Sequence, residues 1–164
     1  MNKIKQEIEK ECKRIEEDSI HTAKALFNLS DAWNIRYYWL GVPTTILAAI
    51  VGAMAFSQLK FCTSIISILV AILSALTTFL NPNAKSNASK NVANNYNKLK
   101  KDIRIFYEID LIKMNDEDAK KKIKDFASKH NKLTEETPNI PQWARRKAKE
   151  GIEKGEANYK IDNE

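Results

Sequence analysis

The sequence predicts an all-α integral membrane protein: a two-helix transmembrane hairpin with a cytosolic bundle made from the N-terminal helix and two or three C-terminal helices. Two observations predict this fold class. Two uncharged apolar runs are almost adjacent, and charged segments with helical periodicity flank them. The mean hydropathy of -0.46 taken alone would indicate an ordinary soluble protein. That average hides an uneven distribution of charge, because residues 37–81 contain a single charged side chain, Lys60.

Each apolar run is long enough to cross a bilayer. The runs cover 23 residues at 37–59 and 24 residues at 61–84, and about 20 helical residues cross a hydrocarbon core of about 30 Å. We place the spans at about 39–56 and 61–80, with a tight turn between them. The alternative, two buried helices of one soluble core, requires apolar partners that the remaining charged segments do not offer.

The predicted domain organisation has four parts. Residues 1–36 form a cytosolic amphipathic helix, and residues 37–84 form the transmembrane hairpin. Residues 85–155 form a cytosolic helical region that is interrupted near Asn115 and again over residues 137–141, which contain two prolines. Residues 156–164 are expected to be a disordered tail.

The flanking charges predict the orientation. Arg36 precedes the first span and a lysine-rich segment follows the second, whereas the connector carries only Lys60. The positive-inside rule therefore places both termini of this multi-pass protein in the cytoplasm. The net charge of +6 is explained by this topology and by attraction to anionic lipid, the expected partner. Nucleic acid is not expected, because acidic residues are interleaved with the basic ones and no recognition motif accompanies them.

Each predicted span carries a stripe of small residues on one face. In the first span the stripe permits close helix packing, unless the small residues are merely scattered. In the second span it has two interpretations: hydroxyls bonded back to their own helix, or the lining of a narrow aqueous path in an oligomer. The packing candidates are Gly41, Thr45, Ala48, Gly52 and Ala55, and the pore-lining candidates are Ser64, Ser67, Ala71, Ser74 and Thr78.

Bulky residues at helical spacing predict the interface between the cytosolic helices. They recur in two segments separated by the break near Asn115. The candidates are Tyr96, Leu99, Ile103, Phe106, Ile123 and Phe126.

The residue inventory does not favour catalysis. There is no glycine-rich phosphate loop, no metal-ligand spacing and no paired nucleophile and base, so neither an enzyme nor a metal or cofactor is expected. His21 is interpreted as solvated or packed, and His130 as a partly buried member of its helix face. Cys12 is expected to be a reduced cytosolic thiol. Cys62 lies near the predicted outer interface, as an apolar filler or a cross-link between subunits.

The order of several short motifs resembles a known family. A charged N-terminal helix precedes Leu40-Gly41-Val42-Pro43, and Thr78-Phe79-Leu80-Asn81-Pro82 closes the second span. Tyr96 to Phe106 and Thr137-Pro138-Asn139-Ile140-Pro141 follow. Over about residues 4–147 the chain is similar to the SLATT family, two-transmembrane effectors associated with SMODS nucleotidyltransferases and SLOG proteins in prokaryotic conflict systems.

The resemblance implies a membrane-permeabilising or pore-forming effector of the bacterial cytoplasmic (inner) membrane that is triggered by a partner sensor protein or by a cyclic nucleotide. A single hairpin cannot enclose a pore, so a homo-oligomer is expected, with a tetramer as the working assumption. The alternative is a non-conducting membrane scaffold that recruits a cytosolic partner. The sequence leaves open the stoichiometry, the activating signal, the selectivity and the role of Cys62.

Overall fold

A computed structural model describes residues 3–54 and 60–157, and the regular secondary structure of these residues is entirely helical, with no strand. The chain runs through α1 (Lys3–Met54), α2 (Lys60–Leu80) and α3 (Pro82–Ile105). A π-helical turn (Phe106–Asp110) and α4 (Leu111–Lys113) extend α3. Finally come α5 (Asp116–Glu136) and α6 (Gln142–Glu153). The all-helical prediction is therefore confirmed.

The described residues divide into two compact units. Unit 1 contains Met1–Leu29 and Ala88–Glu164, and unit 2 contains Ser30–Asn87. The predicted hairpin, residues 37–84, lies inside unit 2. The predicted connector between the spans falls almost wholly on residues 55–59, which lie outside the described residues.

The first helix differs from the sequence-based division of the chain. We treated residues 1–36 and the first span as separate elements, but α1 runs through both without a break for 52 residues. Between Leu29 and Tyr37 there is neither glycine nor proline to end the helix. Pro43 lies inside α1, where its ring removes one backbone donor. Thr44 and Thr45 then donate their hydroxyls to the carbonyls of Leu40 and Gly41, at 2.6 and 2.9 Å.

Asn81 ends α2 and caps α3. Its backbone has a φ of 42°, in the left-handed region that asparagine tolerates better than most residues. Its side-chain oxygen accepts from the Ala84 amide at 3.3 Å, and Pro82 occupies the first helical position, where no donor is needed. The predicted helix end at Leu80 is confirmed, while α3 begins three residues before the expected start near Lys85.

The two downstream helix breaks occur where the sequence predicts them. The Asn115 side chain accepts from the Asp118 amide at 2.8 Å and so caps α5. The helix ends at Glu136, immediately before the segment with two prolines, and α6 starts at Gln142. Most of the predicted disordered tail lies outside the described residues, but Glu156 is described and forms an ion pair with Lys24.

The hydrophobic core of unit 1 is formed by α1, α3 with its extension, and α5. It contains Ile8, Cys12, Ile15, Leu99, Ile103, Phe106, Leu111, Ala119 and Phe126. The rings of Phe106 and Phe126 meet edge to face, with centroids 5.4 Å apart. α6 is tied to α1 by a hydrogen bond from the Asn28 amide to the Ala144 carbonyl at 3.3 Å. Unit 1 thus has its own buried core, which is a requirement for a separately folded helical unit.

Candidate functional site

The apolar side chains of unit 2 face outwards. Two helices, α1 and the stretch that begins at Lys60, are long and apolar enough to cross a membrane, and no part of either apolar stretch is buried within the described residues. Trp39 is 73% exposed, Phe61 78% and Phe79 86%. Large contiguous apolar surfaces are rare on monomeric soluble proteins and indicate contact with lipid or with another protein.

The predicted pore-lining stripe lies on this exposed surface. Ser64, Ser67, Ala71, Ser74 and Thr78 are all exposed. Ser64 donates its hydroxyl to the Lys60 carbonyl at 3.0 Å, Ser67 to Thr63 at 2.8 Å and Thr78 to Ser74 at 3.0 Å. This is the i−4 back-bonding that we considered as the first interpretation of the stripe. Each hydroxyl oxygen still keeps lone pairs that can accept a hydrogen bond from water.

The predicted packing stripe of the first span is also left open within the chain. Thr45, Ala48 and Gly52 are exposed and Gly41 is half-buried. A methyl group built at Gly41 or Gly52 would meet no described atom within 4 Å. Gly41 and Gly52 therefore make no close contact with another helix among residues 3–54 and 60–157, and Ala55 lies outside the described residues.

The partly shielded side of α2 is a face that the sequence analysis did not single out. Its members recur at steps of three and four, as expected where two helices pack along one seam. They are Thr63, Ile66, Val70, Leu73, Thr77 and Leu80, and the half-buried residues of α1 in the same unit include Pro43, Thr44, Leu47, Val51 and Met54. The alternating steps of three and four residues along α2 could have indicated this packing face. The neighbouring stripe of small residues has the same spacing, however, so the spacing alone does not distinguish the two.

Two cationic side chains lie close to the indole ring of Trp33, at the predicted cytoplasmic interface. The Arg36 guanidinium lies 4.6 Å from the Trp33 ring centroid and the Lys85 ammonium lies 4.7 Å from it. The rings of Tyr37 and Tyr38 meet edge to face at 5.5 Å. Where α3 begins, the Ser86 hydroxyl donates to the Ser30 carbonyl at 2.9 Å, so both helices are joined by a buried hydrogen bond.

The six residues predicted to form the cytosolic helix interface lie inside unit 1. Five of them, Tyr96, Leu99, Ile103, Phe106 and Phe126, are buried. Ile123 is partly buried against the core. They pack helices of one chain together, so they are not available to hold two copies of the chain in contact.

Two ionisable groups of unit 1 are held neutral by their surroundings. Burial, with added repulsion from Glu11, Glu9 and Glu16, raises the pKa of the Cys12 thiol to about 12. Burial also raises the pKa of Tyr107, whose hydroxyl donates to the Glu16 carboxylate at 2.8 Å. A thiol with a raised pKa carries little thiolate, so Cys12 is a poor nucleophile.

Within residues 3–54 and 60–157, no group of three or more histidine, cysteine or acidic side chains is arranged to hold a metal ion. Comparison with family models, curated proteins and solved structures finds no match for this chain.

Proposed function

We propose that this chain is the membrane effector of a prokaryotic anti-phage defence system of the SLATT type. In this proposal several copies assemble in the cytoplasmic membrane, with both termini in the cytoplasm, and permeabilise it when a partner protein or a nucleotide signal triggers them. The chain has no enzymatic role in this scheme. The supporting observation is the exposed apolar surface of α2 and of the C-terminal part of α1, which requires lipid or further copies to cover it.

The conducting path is assigned to the hydroxyl stripe of α2. A hairpin has too little surface to enclose water, so a pore requires several copies, and a tetramer would supply eight spans. The back-bonded hydroxyls of Ser64, Ser67 and Thr78 have used their single donor on the helix. Their outward lone pairs would then line the path, and no charged residue lies in α2 between Phe61 and Leu80 to impose strong ion selectivity.

The cytosolic role is assigned to unit 1. Its helices bury their own apolar faces, so this unit can fold without lipid and receive the trigger. Both α1 and α3 contain residues of each unit. A rearrangement in unit 1 would therefore act on α1, which continues into the first span, and on α3, which directly follows α2, and this would move the α2 stripe towards water.

Ion flux from liposomes that contain the purified protein tests the proposal. The double variant Ser67→Leu plus Ser74→Leu should reduce flux at least tenfold, because two bulky side chains from every copy would fill the path. Ala75→Leu is the matched control, since Ala75 is also small and exposed but lies outside the stripe. It should retain flux within about twofold. Carbonate extraction checks that each variant is inserted.

Unchanged flux in an inserted double variant would rule out this lining. Toxicity that depends only on insertion, in every variant, would indicate general bilayer disruption instead.

A second candidate function is a non-conducting scaffold. It is favoured by the same back-bonds, because a hydroxyl that is already bonded to its own helix can face lipid without water. The scaffold predicts capture of a cytosolic partner by unit 1 and no ion leakage from wild-type liposomes under any trigger.

A further inference from the structure

Both histidines of the chain line a single cavity of unit 1. His21 lies on α1 and His130 on α5, and the cavity between them has a volume of about 470 Å³. Asp18, Tyr96, Arg145 and Lys149 also line it. Small-molecule sites are commonly clefts of about 300–1,000 Å³ with a few convergent polar groups. None of the described lining residues belongs to the core around Phe106 or to unit 2.

The charge of this cavity is positive. Arg145 and Lys149 are one turn apart on α6, and Asp18 is the single carboxylate among the described lining residues. Arg145 donates its Nε to the Ile140 carbonyl at 3.3 Å, and the part of the chain that the structure describes shows no carboxylate paired with it. Lys149 lies 3.9 Å from Glu153, in an exposed pair of a kind that contributes little stability. Both cations are therefore available to a ligand.

The opposite wall is held in place by a small hydrogen-bond network. Thr134 donates its hydroxyl to the His130 carbonyl at 2.9 Å, and Thr137 donates to the Leu133 carbonyl at 2.6 Å. Each threonine uses its single hydroxyl proton on a carbonyl, and the buried Tyr96 hydroxyl also has one proton, so it donates to one of the two threonine oxygens at a time, at 3.2 Å from Thr134 and 3.3 Å from Thr137. The Tyr96 ring meets the His130 ring edge to face, with centroids 5.8 Å apart. This network fixes the His130 backbone and restricts its imidazole.

We propose that this cavity binds the phosphate group of a small phosphorylated molecule. Arginine presents a planar fork that matches phosphate oxygens, lysine adds a point charge, and each imidazole offers an N–H donor. The volume leaves room for a phosphate and the organic group that bears it. The proposal does not depend on ion flux through α2, since every residue that carries it belongs to unit 1.

Histidine NMR of the full-length protein in detergent micelles tests this site directly. Ring-labelled protein should give two sets of imidazole signals, and His21→Gln assigns them. The probes are inorganic phosphate and adenosine monophosphate, titrated at constant ionic strength with chloride as the replaced anion. Saturable shifts of both imidazoles with either probe support the site. Saturation by inorganic phosphate shows that the phosphate alone suffices, whereas saturation by the monophosphate only shows that its organic group is also recognised.

Arg145→Gln should weaken the binding at least tenfold, because it removes the fork. Arg146→Gln is the matched control: the same charge is lost from the same helix, at a residue that lies 4.0 Å from Glu150 and outside the cavity lining. It should change the affinity less than twofold. Lys149→Gln removes the second cation of the cavity and tests its contribution in the same way. A helical circular dichroism spectrum like that of the wild type shows that each variant is folded.

Shifts that stay linear with both probes would overturn the proposal, as would equal weakening by Arg145→Gln and Arg146→Gln, which indicates general charge attraction only. Either result would leave the liposome flux experiment unaffected.

Discussion

A phenylalanine is buried in unit 1 and another is exposed in unit 2. In unit 1, Phe106 is 1% exposed and packs against Phe126, whereas in unit 2, Phe79 is 86% exposed. Both residues lie on helices, so helix formation does not account for the difference. Unit 1 packs several amphipathic helices around one buried core, with Ile105, Ile109 and Ile112 left exposed, while α2 is apolar on nearly every face and has only a narrow half-buried side. The difference indicates that the apolar surface of unit 2 is covered by something outside the single chain.

Replacing the same residue type in each unit gives the largest expected contrast. Phe106→Ala should destabilise unit 1 by about 3–5 kcal/mol, because it leaves a cavity in a packed core. Phe79→Ala should cost less than about 0.5 kcal/mol, because an exposed ring loses few contacts within the chain. Hydrogen exchange of peptides from α3 measures the first effect as a loss of protection of about 100-fold or more.

Hydrogen exchange of peptides from α5 is the control for this pair of variants. Because α5 shares the core with Phe106, these peptides should also lose protection in Phe106→Ala. Equal effects from the two phenylalanine variants would mean that the difference in burial has no energetic consequence, and the division into a self-buried and an outward-facing unit would be wrong.

A second contrast concerns alkaline pH. The pKa of Cys12 is raised from 9.0 to about 12 in the folded protein, first by burial and then by the neighbouring glutamates. In this window the unfolded chain loses the thiol proton while the folded chain keeps it, so stability is present below pH 9 and falls as the pH rises towards 12. Tyr107, whose pKa is also raised, acts in the same direction.

Urea unfolding of the detergent-solubilised protein at pH 8, 9.5 and 11 measures this loss. Cys12→Ala should flatten the fall in the midpoint, and Tyr107→Phe should flatten it further. Cys62→Ala is the control, because Cys62 is exposed in unit 2; it should leave the slope as in the wild type. A midpoint that is constant from pH 8 to 11 would contradict the buried, neutral state of Cys12.

The sequence predicts local boundaries well, and the reason is that they depend on local chemistry. Asn81 with Pro82 stops one helix and starts the next, and Asn115 caps α5, since these effects need only neighbouring backbone groups. The all-helical class follows from periodicity. The continuity of α1 was missed because two compositions, one charged and one apolar, suggested two elements where no residue breaks the helix.

Features that depend on distant residues could not be predicted. His21 and His130 were interpreted separately, since nothing local indicates that α1 and α5 place them around one cavity. The half-buried side of α2 was likewise missed. Every face of a helix contains residues at steps of three and four, so in an apolar helix this spacing does not tell which face packs against a neighbour. The residues around Ile103 were predicted to form a helix interface, but the sequence did not tell whether they join helices of one chain or of several; in the structure they lie in the core of unit 1.

The smallest expected effect concerns the helix cap at Asn115, and it refines the contrast between the units. Asn115→Ala should destabilise unit 1 by about 1 kcal/mol, because the Asp118 amide loses its acceptor at the start of α5. Asn139→Ala is the control, since Asn139 is exposed in the segment between two prolines and should change stability by less than about 0.5 kcal/mol. Hydrogen exchange of the first turn of α5 should rise about fivefold in the Asn115 variant, while peptides from α2 should be unchanged. A rise of the same size in α2 would show that the two units open together, and each could then no longer be treated as a separate folding unit.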